Sequence, residues 1–350
     1  MVVYVDTKEA LLSCCEELQK EAILGVDLEC ENNLHHYGVY ISILQISSKH
    51  KDWIIDMLAL DSLGPLKDVL ESKDIQKIFH DVSFDFRILN YQYACKPQNI
   101  FDTEIAALLI GEEHIGLGPL LEKYFSVNKK EVFQMADWTK RPLTKEMLLY
   151  ATKDSRYLIE LRDLLLKKLE DLDRVAWAEQ EFEHITSIDW IHTNPEFETL
   201  RGLHVLSEKE LGLAKALYDF REMLAKKSNR PVHYIFNTKR LLEFAKNPPQ
   251  DWSDIKGVHP IVKRYAKDLK KLCEGSYTYT IPIPEKKRFS KEERRRMQEL
   301  SEAKDRISKK IGLASYLVAN KEQSIQFVLQ NNFSMFRPWQ KKLLEAELVK

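Results

Sequence analysis

A mixed α/β sheet domain covered by helices on both faces, followed by an all-helical half, is the architecture this 350-residue sequence predicts. Three observations carry it. Up to about Lys145, short β-rich runs alternate with segments of helical periodicity, the pattern of layered α/β domains. From Lys145 onward the helical period is almost unbroken. The composition, 44% hydrophobic and 31% charged with few Gly and Pro, is that of a helix-rich globular chain able to bury a core.

The elements follow in order. "MVVYV" reads as a strand and "TKEALLSCCEELQK" as an amphipathic helix; "AILGVDLEC", "ISILQIS" and "KDWIIDM" read as strands. "LGPLKDVLES", "VSFDFRILNYQ" and "TEIAALLIG" carry helical spacing, and the short strand "IQKIFH" between helices argues for a mixed sheet with both faces covered. Helical spacing then runs through "EMLLYATKDSRYLIELRDLLLKKLEDLDRVAWAEQEFEHI". A second unit from about Leu206 to Lys271 is broken at "SNRP", "NPPQDW" and "KGVHP". "SYTYTIPIPEKK" is an extended connector, because alternating Tyr/Thr and two prolines disfavour helix. A last helical unit spans Ser290 to Lys350. A shift of 83 residues lays "FREMLAKKSNRPVHYIFN" over "AKDRISKKIGLASYLVAN", matching a Lys-Lys pair, an Asn and the apolar pattern around them, so the last two units read as related. The expected division is a sheet domain over 1–170, a linker helix over 171–204 and helical domains over 205–280 and 286–350.

A formal net charge of −1 means that any nucleic-acid binding must come from local basic surfaces. Cys14, Cys15, Cys30, Cys95 and Cys273 are odd in number and lack zinc spacing, which fits a reduced, intracellular protein. The start lacks a basic, apolar leader, and no run is long and apolar enough to span a membrane, so the expectation is a cytoplasmic chain without a membrane partner.

The acids are the unusual feature. In "GVDLEC" the strand period turns Asp27 and Glu29 to one face and Val26, Leu28 and Cys30 to the other. Such a pair must reach water, bind cations or hold a proton, because burying an unpaired charge costs several kcal/mol; an exposed edge strand with an acidic face is the plain alternative. Asp85 is a polar intruder in "IFHDVSFDFRIL", five residues after His80. In "LLYATKDSRYL", Tyr150 and Asp154 are four apart and share one helix face. Each has a simpler explanation: Asp81 or Asp85 as a helix cap, Tyr150 and Asp154 as a hydrogen-bonded pair.

Asp-x-Glu on a strand, an isolated Asp, then Tyr-x-x-x-Asp on a late helix is the ordered pattern of the DEDD exonuclease superfamily. In its histidine branch a His would occupy Leu149; the tyrosine at 150 selects the tyrosine branch. With "SILQIS", "FDTEIAALLIG" and "DWTKRPL" in the expected places, the first 180 residues resemble the ribonuclease D family. The resemblance implies a ribonuclease H-like sheet and a metal-dependent 3'-to-5' exoribonuclease. Two divalent ions, Mg²⁺ or Mn²⁺, would cancel the repulsion of converging carboxylates, and all-oxygen ligation argues against zinc. By the family's roles, Asp27 bridges both ions, Glu29 and Asp154 complete the nucleophile-side site, and Asp85 holds the second ion. Tyr150 orients the attacking water, since a phenol with an ordinary pKa near ~10 is a poor base at neutral pH. His80 reads as structural; Trp138 and Arg141 could touch the substrate strand or equally serve packing. Leu28 and Cys30 stand where bacterial members often have Thr and an aromatic, which leaves the terminal-base contact open; His35, His36 and Tyr37 lie close by.

"LYDFREMLAKK", "RPVHYIFN", "RLLEFAKNPP" and "IKGV" resemble an HRDC domain, and the segment ending near Trp339 resembles the second such domain of the ribonuclease D family. That implies nucleic-acid binding, with Lys226, Lys227, Arg230, Lys239 and Arg240 as candidate phosphate contacts. "EKKRFSKEERRRM" is either a further phosphate contact or a solvated face. The expected substrate is RNA with a single-stranded 3' end, such as a tRNA precursor, and a monomer is favoured. A DNA-preferring exonuclease of the same chemistry and a non-catalytic nucleic-acid-binding module are the rivals.

Overall fold

The computed structural model describes residues 2–60, 62–128, 133–192, 196–281 and 288–348. Among these, six strands form one sheet in the order β1-β4-β3-β2-β5-β6: β1 Val2–Val5, β2 Ile23–Asn32, β3 Val39–Ser47, β4 Asp52–Asp56, β5 Gln76–Phe79 and β6 Ile100–Asp102. β3 runs antiparallel to β2 and β4, and the other pairings are parallel, giving the expected mixed sheet. Every residue from Ile41 to Ser47 is buried, so both faces of β3 are covered. The strand of "GVDLEC" lies between β3 and β5, with β5 pairing at Ile23 to Gly25 and β3 alongside Asp27 and Glu29.

Hydrophobic periodicity places the covering helices. Lys8–Leu18 is capped by Thr7 and buries Leu11, Cys14, Cys15 and Leu18; Leu158–Asp171 buries Leu158, Ile159, Leu161, Leu165 and Leu169. All five cysteines are free. The stretch expected as a linker, 171–204, divides instead. Helix Val175–Ser187 buries Ala178 and Phe182 in the sheet domain's core, with Phe182 against Phe101 at 4.8 Å, while Phe197 and Leu203 pack into the following helical unit. Residues 193–195 of that stretch fall outside the described segments, as do 282–287 of the extended connector, which include the start of the basic run.

The 83-residue shift holds for the first three helices of each unit and ends before the last ones, where Pro260–Arg264 and Ala266–Cys273 have as counterpart a single helix, Pro338–Leu348, out of register. Helix Glu208–Ser228 maps onto Lys291–Ile311, Val232–Ile235 onto Ser315–Val318, and Thr238–Lys246 onto all but the last residue of Lys321–Gln330. Even the capping boxes coincide, Ser207 with Glu210 and Ser290 with Glu293. The last unit is fastened to the sheet domain by a stacked pair, Trp177 and Trp339 at 4.7 Å, and an ion pair, Arg337–Glu181 at 2.8 Å. Arg174 reaches two helix ends, donating to the carbonyls of Leu109 and Ile311. No helix among the described residues is long and apolar enough to cross a membrane.

Candidate active site

The acidic face of β2 begins at Gly25, which shares the parity of Asp27 and Glu29. A Cβ on Gly25 would lie 2.3 Å from the carbonyl oxygen of Ser155, so the missing side chain lets helix Lys145–Arg156 settle directly on the strand. That helix is capped by Thr144, whose side chain accepts from Met147 N–H, and it turns Tyr150, Ala151, Asp154 and Ser155 inward. Ser155 Oγ meets Ser47 Oγ at 2.7 Å, tying the same turn to β3.

This packing brings Asp154 to the two strand acids. Asp27, Glu29 and Asp154 each offer a carboxylate oxygen, all within 4.8 Å of one another. Asp85 enters from the first turn of helix Val82–Tyr93, whose N-cap is Asp81; Asp85 itself is not the cap but points inward and is buried. Burial, then the charges of Asp27, Asp81 and Asp102, push its carboxyl well above the ordinary range. The Cys30 thiol is likewise raised, by burial and then by Asp85, Glu29 and Asp27. Asp102 holds the frame: its carboxylate accepts from the N–H groups of Val82, Glu104 and Ile105, joining the starts of two helices. Burial raises Asp102 to about 6 and, with the nearby Asp81 and Asp102 charges, Glu104 to about 7.

Such concentrated negative charge, with oxygen donors only, fits divalent cations. Asp27 also lines a cleft of about 320 Å³ together with His80, Asp81, Glu104, Leu117 and Gln134, which gives the acids an opening to solvent. His80 shares a hydrogen bond with Thr103 Oγ1 at 2.9 Å.

Asp27, Glu29 and Asp154 thus lie together, Asp85 is close enough to feel the charge of Asp27, and Tyr150 stands one turn before Asp154 on the same helix. Tyr150 packs against Phe133 at 5.5 Å and Trp138 at 6.1 Å. Trp138 and Arg141 are engaged inside the protein. Trp138 is 2% exposed, and its indole N–H donates to Phe133 O. Arg141 makes a bidentate pair with Asp56 at 2.5 and 2.6 Å and also donates to Trp138 O. Both brace the segment behind Tyr150, because a buried carboxylate on β4 claims the guanidinium. Lys226, Lys227 and Lys239 are exposed on the helical unit, with Lys227 over the Tyr265 ring. Arg240 donates to Lys256 O and Arg230 to His35 O, so Arg230 stands at the junction with the sheet domain. Glu104, Gln134 and Gln45 escaped the sequence reading. Gln45 is buried directly opposite Asp27 in the β2–β3 register, a position that only the pairing reveals.

Residues 2–170 match the 3'-5' exonuclease family and residues 210–271 the HRDC domain. A curated ribonuclease D of Sphingobium indicum is 31% identical over 257 residues, covering 72% of this chain and 66% of that protein. One of Zymomonas mobilis is 34% identical over 253 residues, covering 70% and 64%. The chain therefore spans slightly less than two thirds of these relatives' length. The crystal structure of Escherichia coli RNase D superposes with a TM-score of 0.70 at 21% identity, over 100% of this chain and 98% of that one, a likeness of fold that includes both helical units. The chain thus carries a 3'-5' exonuclease domain followed by an HRDC domain, and over about 70% of its length it is similar to curated ribonuclease D proteins.

Proposed function

We propose that the chain is a metal-dependent exoribonuclease that hydrolyses phosphodiesters one at a time from the 3' end of RNA. The observation that carries this reading is the convergence of Asp27, Glu29 and Asp154, with Asp85 within electrostatic reach of Asp27, beside a cleft that Asp27 lines. When bound, two Mg²⁺ or Mn²⁺ ions supply the neutralising charge and Lewis acidity that phosphodiester hydrolysis requires. Asp27, Glu29 and Asp154 hold them from a strand and a helix locked together at Gly25, and Asp85 adds a carboxylate from the opposite helix. Tyr150, fixed by Phe133 and Trp138, orients the attacking water through its hydroxyl. Asp102 keeps the helix of Asp85 in register and takes no part in ligation.

RNA is favoured over DNA by the joining of this exonuclease domain to an HRDC unit and by the curated ribonuclease D relatives. Lys226, Lys227 and Arg230 contact backbone phosphates, and the cleft takes a single-stranded 3' end, such as that of a tRNA precursor. The free cysteines suit a cytoplasmic location. Digestion of matched 3'-overhang RNA and DNA with Mg²⁺, Mn²⁺ or EDTA tests the reading. Metal-dependent, stepwise shortening of RNA is the expected result. Faster loss of DNA would transfer the chemistry to a DNA exonuclease, and tight binding without shortening of either strand would leave only a binding module.

A further inference from the structure

Beyond the catalytic acids, β2 carries one more carboxylate. Glu31 is 2% exposed, and its Oε1 accepts from the N–H groups of Leu34 at 2.5 Å and His35 at 3.0 Å, so the loop that follows β2 fixes its orientation. That loop presents His36, whose Nε2 lies 3.6 Å from Asp137 Oδ2. Asp137 is itself held by the Thr139 N–H at 3.1 Å and hydroxyl at 2.5 Å. One ligand atom from each of Glu31, His36 and Asp137 lies within 4.8 Å of the other two.

An ion pair between His36 and Asp137 accounts for two of these groups but leaves Glu31 as a second, almost buried negative charge aimed at the same point. A dication between them would balance both carboxylates. The His36–Asp137 separation suits one. Ligands on a tetrahedral ion at bond lengths of ~2.0–2.1 Å stand roughly 3.3 Å apart, close to the observed His36–Asp137 spacing. Two of the donors already have the outer hydrogen bonds that orient metal ligands, two backbone amides on Glu31 and Thr139 on Asp137, while His36 Nδ1 faces Asn229 Nδ2 of the helical unit at 3.2 Å.

We propose that Glu31, His36 and Asp137 form a further metal site, distinct from the catalytic carboxylates, that takes Zn²⁺. A mixed imidazole and carboxylate set favours a borderline ion over Mg²⁺, and three protein ligands leave a fourth position for water. The site ties the loop after β2 to the segment carrying Gln134 and Met135, hence to the cleft wall, where His35 already meets Met135 O at 3.1 Å. It is also coupled to the helical unit. With the ion on Nε2, Nδ1 of the neutral ring carries the proton and needs an acceptor. Rotating the Asn229 amide supplies Oδ1, at the expense of its present bond from Tyr37 N–H. Zn²⁺ occupancy therefore rearranges the contact between Asn229 and the sheet domain.

The test uses the full chain carrying Asp27→Asn and Asp154→Asn, which disables the catalytic cluster, with equilibrium dialysis against Zn²⁺ and visible absorption after loading with Co²⁺. The expected result is one bound equivalent with a Co²⁺ spectrum showing nitrogen ligation, lost on adding His36→Ala or, if that variant fails to fold, Asp137→Asn. Asn229→Ala should weaken binding by roughly 10-fold to 100-fold, the usual effect of removing an outer hydrogen bond. Absence of bound metal in the Asp27→Asn/Asp154→Asn chain, or binding that persists unchanged in both His36→Ala and Asp137→Asn, overturns the site.

Discussion

Substituting Gly25 by alanine should disable the site without touching a ligand. The new Cβ would stand 2.3 Å from Ser155 O, with Leu158 Cβ and Ser155 C both at 3.3 Å. Ordinary contact begins near 3.4 Å, so strand and helix must separate by about 1.1 Å. The obstructing atom is backbone, and no side-chain rotation relieves it. The displaced turn is the one that carries Asp154, with Tyr150 one turn earlier. Overpacking of this kind costs about 1–3 kcal/mol, and a misplacement of about 1 Å at a reacting centre costs about 10²-fold in rate. The assay is the initial rate of shortening of a 5'-labelled RNA at saturating Mg²⁺, beside thermal unfolding followed by circular dichroism. The expected outcome is a variant that remains folded at the assay temperature, melts earlier and hydrolyses about 10²-fold more slowly. A variant with the wild-type rate and melting temperature would refute the claim that Gly25 sets the spacing of the carboxylates.

Three further outcomes follow from the same geometry. Tyr150→Phe should reduce kcat by about 10²-fold, the lower end for positioned proton-handling groups, while Mn²⁺ affinity measured by titration stays unchanged. Arg141→Met should leave KM for RNA unaltered but destabilise the fold by about 3 kcal/mol at neutral pH in chemical denaturation, because it strands Asp56. Burial pushes the Asp56 carboxyl up, but hydrogen bonds from Arg141 and Tyr4 hold it below its ordinary value. Its stabilising effect is therefore present above the unfolded value, near ~4, and is lost as pH falls through the folded one, so the gap between wild type and variant should close in acid. Arg174→Ala removes the donors to Leu109 O and Ile311 O and should cost about 1.5–3 kcal/mol, with earlier proteolytic release of the last helical unit than in wild type.

Much of this was legible in the chain because local chemistry agrees with the final packing. The alternation in "GVDLEC" and the four-residue spacing of Tyr150 and Asp154 survive into the structure because β2 and helix Lys145–Arg156 are regular where those residues sit. Asp85 stood out as a lone acid among Ile, Phe and Leu, and it is indeed turned inward. The 83-residue echo rested on few identities, yet the caps Ser207 and Ser290, and Asn237 and Asn320, fall in equivalent places, since capping is a local requirement of each helix start. What stayed hidden depends on distant partners. β6 is three residues long, too short to show a period. Gly25 looks like any glycine until Ser155 arrives from far along the chain. Trp138 and Arg141 beside a catalytic motif suggest substrate contact, and only Asp56 and Tyr4, brought from β4 and β1, show that the space is already filled. Glu31, His36 and Asp137 are dispersed in sequence and converge only through the loop after β2.

The central claim is that the converging carboxylates remove nucleotides from an RNA 3' terminus. It is tested most directly with an RNA labelled on its last nucleotide, incubated with wild type and Asp27→Ala in Mg²⁺ and again after EDTA. Release of labelled mononucleotide as the first product, abolished by EDTA and by the substitution and restored to wild type by added Mg²⁺, is the expected result. A labelled internal fragment as first product, or release that persists in Asp27→Ala, would contradict the account.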